Sequence, residues 1–461
     1  MENKIHSGNQ FHYVWARLWR LSLLTLTLVC CSHLHSQNIS MESSTLHDQN
    51  IFDTYIPTPD QITLFQIDAS KDWDFDESSF FLSYNGSLSL FRDLTSRNYH
   101  VHVLTLTSLF HFVADDPEEE EDEDDGSNDQ DSSEVEEDSS LAIVTPVIQK
   151  LPVTIVHSDS GDRFLTFSLT GASQFDKEAF SEFDNSKIAG TVTFRQPLGL
   201  LISARPSYSL SYHSYPNLPG LTNSENIFSL LMGTNYLHNG WIAGNVAYGI
   251  KGYTASTYTY TVGSSGQAGH GKPGAGGGGG RTKTYTLNTP SVRQFSASVQ
   301  WEQSLVPDTR LLAQYNFFGW PSSTARILPQ QIQSALEQQG AIGTFTSSND
   351  IFDDHYGYLG NGVALQVQQT IPFSINLTIK GDFQKKTYTV PANDLSDTVQ
   401  VADNRVDRRF EIEINISKTI PFGEGKSVKP RIETHYLRNK SNAPYYDFDK
   451  NTFLIGVELN F

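Results

Sequence analysis

Segments that alternate apolar with polar residues recur along this chain, and the connections between them take turns at two lengths. Glu411-Ile412-Glu413-Ile414-Asn415-Ile416-Ser417-Lys418-Thr419-Ile420 is the clearest segment, with isoleucines on one parity and Glu, Asn, Ser and Thr on the other. Val363, Leu365 and Val367 alternate with Ala364, Gln366 and Gln368; Ile375, Leu377 and Ile379 alternate with Asn376, Thr378 and Lys380. Phe295, Ala297, Val299 and Trp301 alternate with Ser296, Ser298, Gln300 and Glu302, and Leu200, Ile202, Ala204, Tyr208 and Leu210 share a second such stretch. In an extended chain those two sets point to opposite faces, one oily and one wet. Tight turns punctuated by Pro and Gly fall at 196–199, 237–240, 306–309, 370–373 and 421–425, as turn chemistry requires. Long connections at roughly 214–224, 254–290, 321–354, 391–404 and 439–450 separate them. A soluble sandwich has no reason to sort its loops so strictly.

The chain closes on Phe453-Leu454-Ile455-Gly456-Val457-Glu458-Leu459-Asn460-Phe461, with no polar tail behind it. Phe453, Ile455, Val457, Leu459 and Phe461 share one parity, and an apolar edge strand of this kind invites aggregation in a soluble protein. The segment resembles the C-terminal strand of bacterial outer-membrane β-barrel proteins, which carry Gly-x-x-apolar-x-aromatic at their end. Gly456, Leu459 and Phe461 match that pattern and, by the resemblance, form the signal read by the barrel-insertion machinery. The resemblance, porin-like as a broad class, implies an all-β fold: a closed antiparallel transmembrane barrel with short periplasmic turns and long surface loops.

Composition agrees. An apolar fraction of 38% is low for a helical membrane protein, whereas 12% aromatic residues suit a barrel with aromatic girdles and a polar lumen. The net charge of −20 is concentrated: residues 115–138 hold sixteen Asp or Glu and no Lys or Arg, leaving −4 for the rest. No basic stripe is present to neutralise phosphates, which disfavours nucleic-acid binding. Lys4, Arg17 and Arg20 precede the ten-residue run Leu21 to Cys30, too short for a membrane helix and suited to a signal segment cleaved after Ser36. Cys30 and Cys31 fall in or beside that segment, which removes disulfide frameworks and cysteine metal sites.

Counting back from Phe461 gives twelve strands starting near 163, 188, 199, 225, 239, 291, 309, 355, 373, 405, 427 and 451. Upstream, Phe80 to Phe91, Tyr99 to Phe112 and Leu141 to His157 add two to four more. Periplasmic termini require an even number, and the expected count is fourteen, with twelve or sixteen as alternatives. The expected organisation is a signal peptide over 1–36, a periplasmic or irregular segment over 37–77, and a barrel over 78–461. Within the barrel lie an acidic disordered loop (114–140), a Gly-rich loop (254–290) and a long loop with a short helix (321–354). Pro206 predicts a bulge or strand end.

Several motifs resolve to decoys. Glu121, Glu123, Asp125 and Gly126 mimic half of an EF-hand, but Ser132 stands where its last carboxylate belongs; a solvated loop that binds divalent cations loosely at most explains the run. Gly266 to Lys272 has P-loop spacing, followed by Pro273 rather than Ser or Thr. Pro329 opens a candidate helix carrying Ile332, Ala335 and Leu336 up to Gly340, a plug or a loop cap. Phe317, Phe318 and Trp320 mark a membrane rim. Asp353, Asp354 and His355 superficially fit a rim protease, yet acid-rich loops produce such neighbours by chance.

Inward parity assigns Arg195, Arg205, Glu302, Lys380, Asp382, Glu411, Glu413, Arg431, Glu433 and Glu458 to the lumen, where they set ion selectivity, hydrogen-bond across the lumen, or both. The function this implies is a channel for passive or weakly selective diffusion of small solutes in the outer membrane, not an enzyme, with no cofactor. Alternatives are a plugged surface-structural or adhesive barrel and a component of polymer export. The bilayer, the insertion machinery and small solutes are the expected partners.

Overall fold

The computed structural model describes residues 38–51, 57–75, 77–112, 163–177, 184–199, 202–217, 222–236, 240–254, 256–262, 281–287, 291–306, 308–319, 358–393, 400–423 and 425–461. Its strands are β1 (Asn38–Asp48), β2 (Asp60–Phe75), β3 (Ser78–Phe91), β4 (Tyr99–Phe112), β5 (Arg163–Asp176), β6 (Asn185–Pro197), β7 (Ile202–Ser214), β8 (Asn223–Tyr236) and β9 (Gly240–Tyr253), then β10 (Ser256–Val262), β11 (Arg281–Leu287), β12 (Val292–Val306), β13 (Thr309–Gly319), β14 (Tyr358–Ile371), β15 (Ile375–Asn393), β16 (Gln400–Lys418), β17 (Ile420–Gly423), β18 (Lys426–Ser441) and β19 (Phe448–Asn460). Each barrel strand pairs antiparallel with the next, β9 passes to β12, and β10 and β11 pair with each other. β17 continues the stave of β16 past Thr419, so the wall has sixteen staves.

β1 closes the wall against β19, in register from Ser40↔Asn460 to Asp48↔Thr452. The Phe461 backbone N–H donates to the Ile39 carbonyl at 2.9 Å, so the last residue of the chain is bonded into the seam. Closure removes both sheet edges, which only a barrel does for an antiparallel sheet in lipid.

The sixteen staves match the upper of the expected counts, two more than the fourteen favoured. The missing staves lie in residues 37–77, where an irregular or periplasmic segment was expected: β1 and β2 are both barrel wall. The outward row of β1 reads Ile39, Met41, Ser43, Thr45 and His47, so the apolar alternation that marks other strands is diluted there.

The connections sort by end, with one exception. Turns 198–201, 237–239, 307–308 and 372–374 fall at the end holding Asn38 and Phe461; 215–222, 320–357, 394–399 and 442–447 fall at the far end. Phe112 pairs with Arg163, and Phe164 with Arg195, beside the 198–201 turn. The anchors of connection 113–162, which holds the acidic run, are therefore at the turn end and not among the long loops of the far end.

Pro206 makes neither a bulge nor a strand end. Lacking an N–H, it lets the β6–β7 pairing lapse after Thr193↔Ser207, and pairing resumes in the same register at Gln196↔Ala204. The stretch 254–290 was expected as a loop, yet its backbone contains the β10–β11 pair. The signal segment, the acidic run, the P-loop-like glycines, the candidate helix at 329–340, Leu141 to His157, Trp320 and His355 with its acidic neighbours lie outside the described residues.

Candidate functional site

The two faces of the wall differ as the alternation requires. On β19, Phe453, Ile455, Val457, Leu459 and Phe461 are exposed outward, while Gly456, Glu458 and Asn460 turn inward with Leu454. The outward belt continues around the barrel through Leu169, Ile188, Leu210, Phe228, Val246, Val299, Leu365 and Ile432. Large exposed apolar side chains in a continuous band, with buried Glu, Lys and Arg behind them, invert the arrangement of a soluble protein. A closed wall whose backbone groups are satisfied between neighbouring strands is the form in which a sheet crosses lipid.

One arc of the inner face, from β15 through β16, β18 and β19 to β1, is densely charged. Lys380 pairs in register with Glu413, and Asp382 with Glu411. Glu413 sits opposite His435, whose Nε2 lies 2.8 Å from Glu411 Oε1. Arg409 Nη2 holds Glu411 Oε2 at 2.7 Å. Arg431 reaches Glu42 of β1 at 2.5 Å, crossing over β19. That crossing depends on Gly456, which stands between Arg431 and Ser44 in register. A Cβ on Gly456 would lie 2.8 Å from Ser44 Cβ and 3.5 Å from Arg431 Nε. Glu433 and Glu458 complete the arc, with Lys429 opposite Glu458. Toward the far end, Lys450 pairs with Asp48 at 3.0 Å, and Arg405 pairs with Asp407 while lying against the rings of Tyr388 and Tyr446.

The facing arc, β4 to β8, is lined with hydroxyls. Thr105 meets Thr170 at 3.2 Å, Thr107 meets Ser168 at 3.2 Å, and Thr191 meets Ser209 at 2.8 Å. Ser207 meets Ser229 at 2.5 Å. A second ionic group sits at the far end of this side: Lys251 Nζ lies 2.8 Å from Glu225, which also accepts from Ser211 at 3.2 Å, and His213 is 3.0 Å from Asn185. Short hydroxyl side chains keep this side shallow, whereas long charged ones fill the other.

Seven of the ten lumen residues expected from parity, Lys380, Asp382, Glu411, Glu413, Arg431, Glu433 and Glu458, come together on the charged arc. The other three stand apart. Arg195 and Arg205 are neighbours on β6 and β7 near the turn end, with the Arg195 guanidinium 5.3 Å from the Phe164 ring centre. Glu302 accepts from Arg310 Nε at 2.6 Å at the same end. Parity reasoning missed Glu42, because β1 was not read as a strand, and missed Glu225 and Lys251, because only the strongest alternations were followed. Phe318 also departs from the expected rim: it is buried inward against Tyr358, ring centres 5.4 Å apart, whereas Phe317 faces outward.

This is a transmembrane β-barrel of the outer-membrane type. No protein-family model matches the chain, and no curated protein matches its sequence. Solved structures of similar fold include the outer membrane protein OprD from Pseudomonas aeruginosa, at 9% identity over 92% of this chain and 93% of that one, with a TM-score of 0.42. They also include OpdF from the same organism in complex with glucuronate, at 13% identity over 93% and 99% and a TM-score of 0.40. OpdK from that organism, solved with vanillate, is 8% identical over 93% and 100%, with a TM-score of 0.37.

Proposed function

We propose that the protein is an outer-membrane channel through which small solutes diffuse along a water-filled lumen. The observation that carries this reading is the pairing of sixteen staves with an inner wall of charge and hydroxyl. Barrels of this strand number enclose an aqueous path, whereas eight-stave barrels are filled by their own side chains. Inner carboxylates and cations interleaved on one arc, facing hydroxyls on the other, favour polar solutes and keep the path wet. The ten parity-assigned residues act here as wall charges that bias which ions pass, with no chemical step and no cofactor. Phe461, Leu459 and Gly456 act before function, as the end presented for insertion and then as part of the seam.

Liposome swelling tests the reading. Vesicles containing folded protein are expected to swell in small polar solutes and not in large oligosaccharides. Folded protein that leaves vesicles as tight as empty ones would point to the plugged, surface-structural alternative.

A further inference from the structure

The outer face of the barrel carries a basic row that the channel reading does not use. Lys385 on β15 pairs in register with Arg408 on β16, and Arg408 with Lys440 on β18. All three are exposed, and all lie on the outward parity: their chain neighbours Gln384, Asp407, Arg409 and Asn439 face inward. Asn361 of β14, also exposed, stands opposite Lys385 and extends the row to four staves. Side chains opposite one another on adjacent strands are ~5 Å apart at Cβ, and like charges in that position repel. Among the described residues none of these three cations has an ion pair. Arg438, one pair nearer the middle of the barrel, is by contrast taken up by Asp449 and Asp447 at 2.5 and 3.0 Å. Elsewhere on the outer face near this end Arg293 stands opposite Ile250, not beside another cation.

Position decides what such a row is for. It lies at the far end, away from Asn38 and Phe461. The next outward row toward the membrane is Val363, Phe383, Phe410 and Arg438, in register across the same staves. Val363, Phe383 and Phe410 are all more than 40% exposed, so an apolar surface begins directly beneath the cations. Cations in a line above exposed aromatic and aliphatic side chains match a lipid whose head carries phosphates and whose acyl chains lie below.

We propose that Lys385, Arg408 and Lys440 form a binding site on the outside of the barrel for the phosphorylated head of an outer-leaflet glycolipid. Phe383, Phe410 and Val363 receive its acyl chains. The site rests on the outer-membrane placement argued above, which puts the far end at the cell surface. It does not depend on conduction, since none of its residues faces the lumen.

Native mass spectrometry of the full protein in detergent, titrated with bis-phosphorylated lipid A, tests the proposal. The K385A/R408A/K440A variant, shown to be folded by heat-modifiable migration, is expected to bind on the order of 100-fold more weakly, since each lost cation is worth about fivefold near an anionic head. If that variant does not fold, R408Q alone is expected to lose about fivefold, and R293A nothing. Single-channel conductance of the triple variant is expected to match the parent, which separates failure of this site from failure of the channel. Equal lipid A binding by parent and folded variant would overturn the proposal. So would equal binding of a dephosphorylated glycolipid, or binding of inorganic pyrophosphate as tight as that of lipid A, which would make the row a free-anion site.

Discussion

At the scale of single residues, Gly456 shows how a missing side chain in the terminal strand serves the closed fold. Its missing side chain lets Arg431 and Glu42 meet across β19, tying β18 to β1 over the seam. Arg431→Ala would leave Glu42 with its charge buried and uncompensated, a loss of about 3 kcal/mol. Gly456→Leu is expected to destabilise by about 1–3 kcal/mol through overpacking against Ser44. Both are read from equilibrium urea unfolding in detergent, and a seam variant as stable as the parent would contradict the role given to the pair. A second residue-scale expectation concerns the 372–374 turn, where Phe373 and Ser374 hold φ of 72° and 55°. Left-handed positions in a hairpin turn ordinarily use Asn and Gly. Ser374→Gly should therefore raise stability by about 0.5–1 kcal/mol, and a loss on the same unfolding measurement would show that the serine side chain is needed there.

At the scale of the strand, parity is the controlling fact. On β19 Ile455 faces lipid and Glu458 faces inward, three residues away. Ile455→Arg is expected to cost about 2–4 kcal/mol near the middle of the bilayer and to abolish heat-modifiable migration, whereas Glu458→Gln should fold normally. Equal tolerance at both positions would mean the faces are wrongly assigned. Parity was also what made the fold legible. Strands such as β16, whose Ile412, Ile414 and Ile416 alternate with Glu411, Glu413 and Asn415, announce themselves. β1 does not, because Ser43, Thr45 and His47 occupy outward positions where other strands carry aliphatics. The same logic recovered Glu413 and Arg431 for the inner wall but not the Arg431–Glu42 pairing, since register between chain ends is set by closure and leaves no trace in local pattern. The outer basic row was hidden for a similar reason: Lys385, Arg408 and Lys440 are far apart in sequence, and only the register of three staves aligns them.

At the scale of the whole molecule, sixteen antiparallel staves place Asn38 and Phe461, the first and last residues of the described wall, at one end, and the acidic connection is anchored at that end too. In a membrane with periplasmic termini, a protease site inserted between Phe112 and Arg163 should stay uncut on intact cells, while one inserted between Ser214 and Asn223 should be cut. The reverse pattern would invert the molecule and move the basic row to the inner leaflet. The central claim is that this closed wall encloses a water-filled path whose charge is set by inner-face residues. Single-channel recording of purified, heat-modifiable protein in planar bilayers tests it most directly. Discrete conductance steps are expected, with the reversal potential in a salt gradient moving toward anions in Glu413→Gln and unmoved in Ile412→Ala. Folded protein that gives no steps, or steps whose selectivity ignores Glu413, would contradict it.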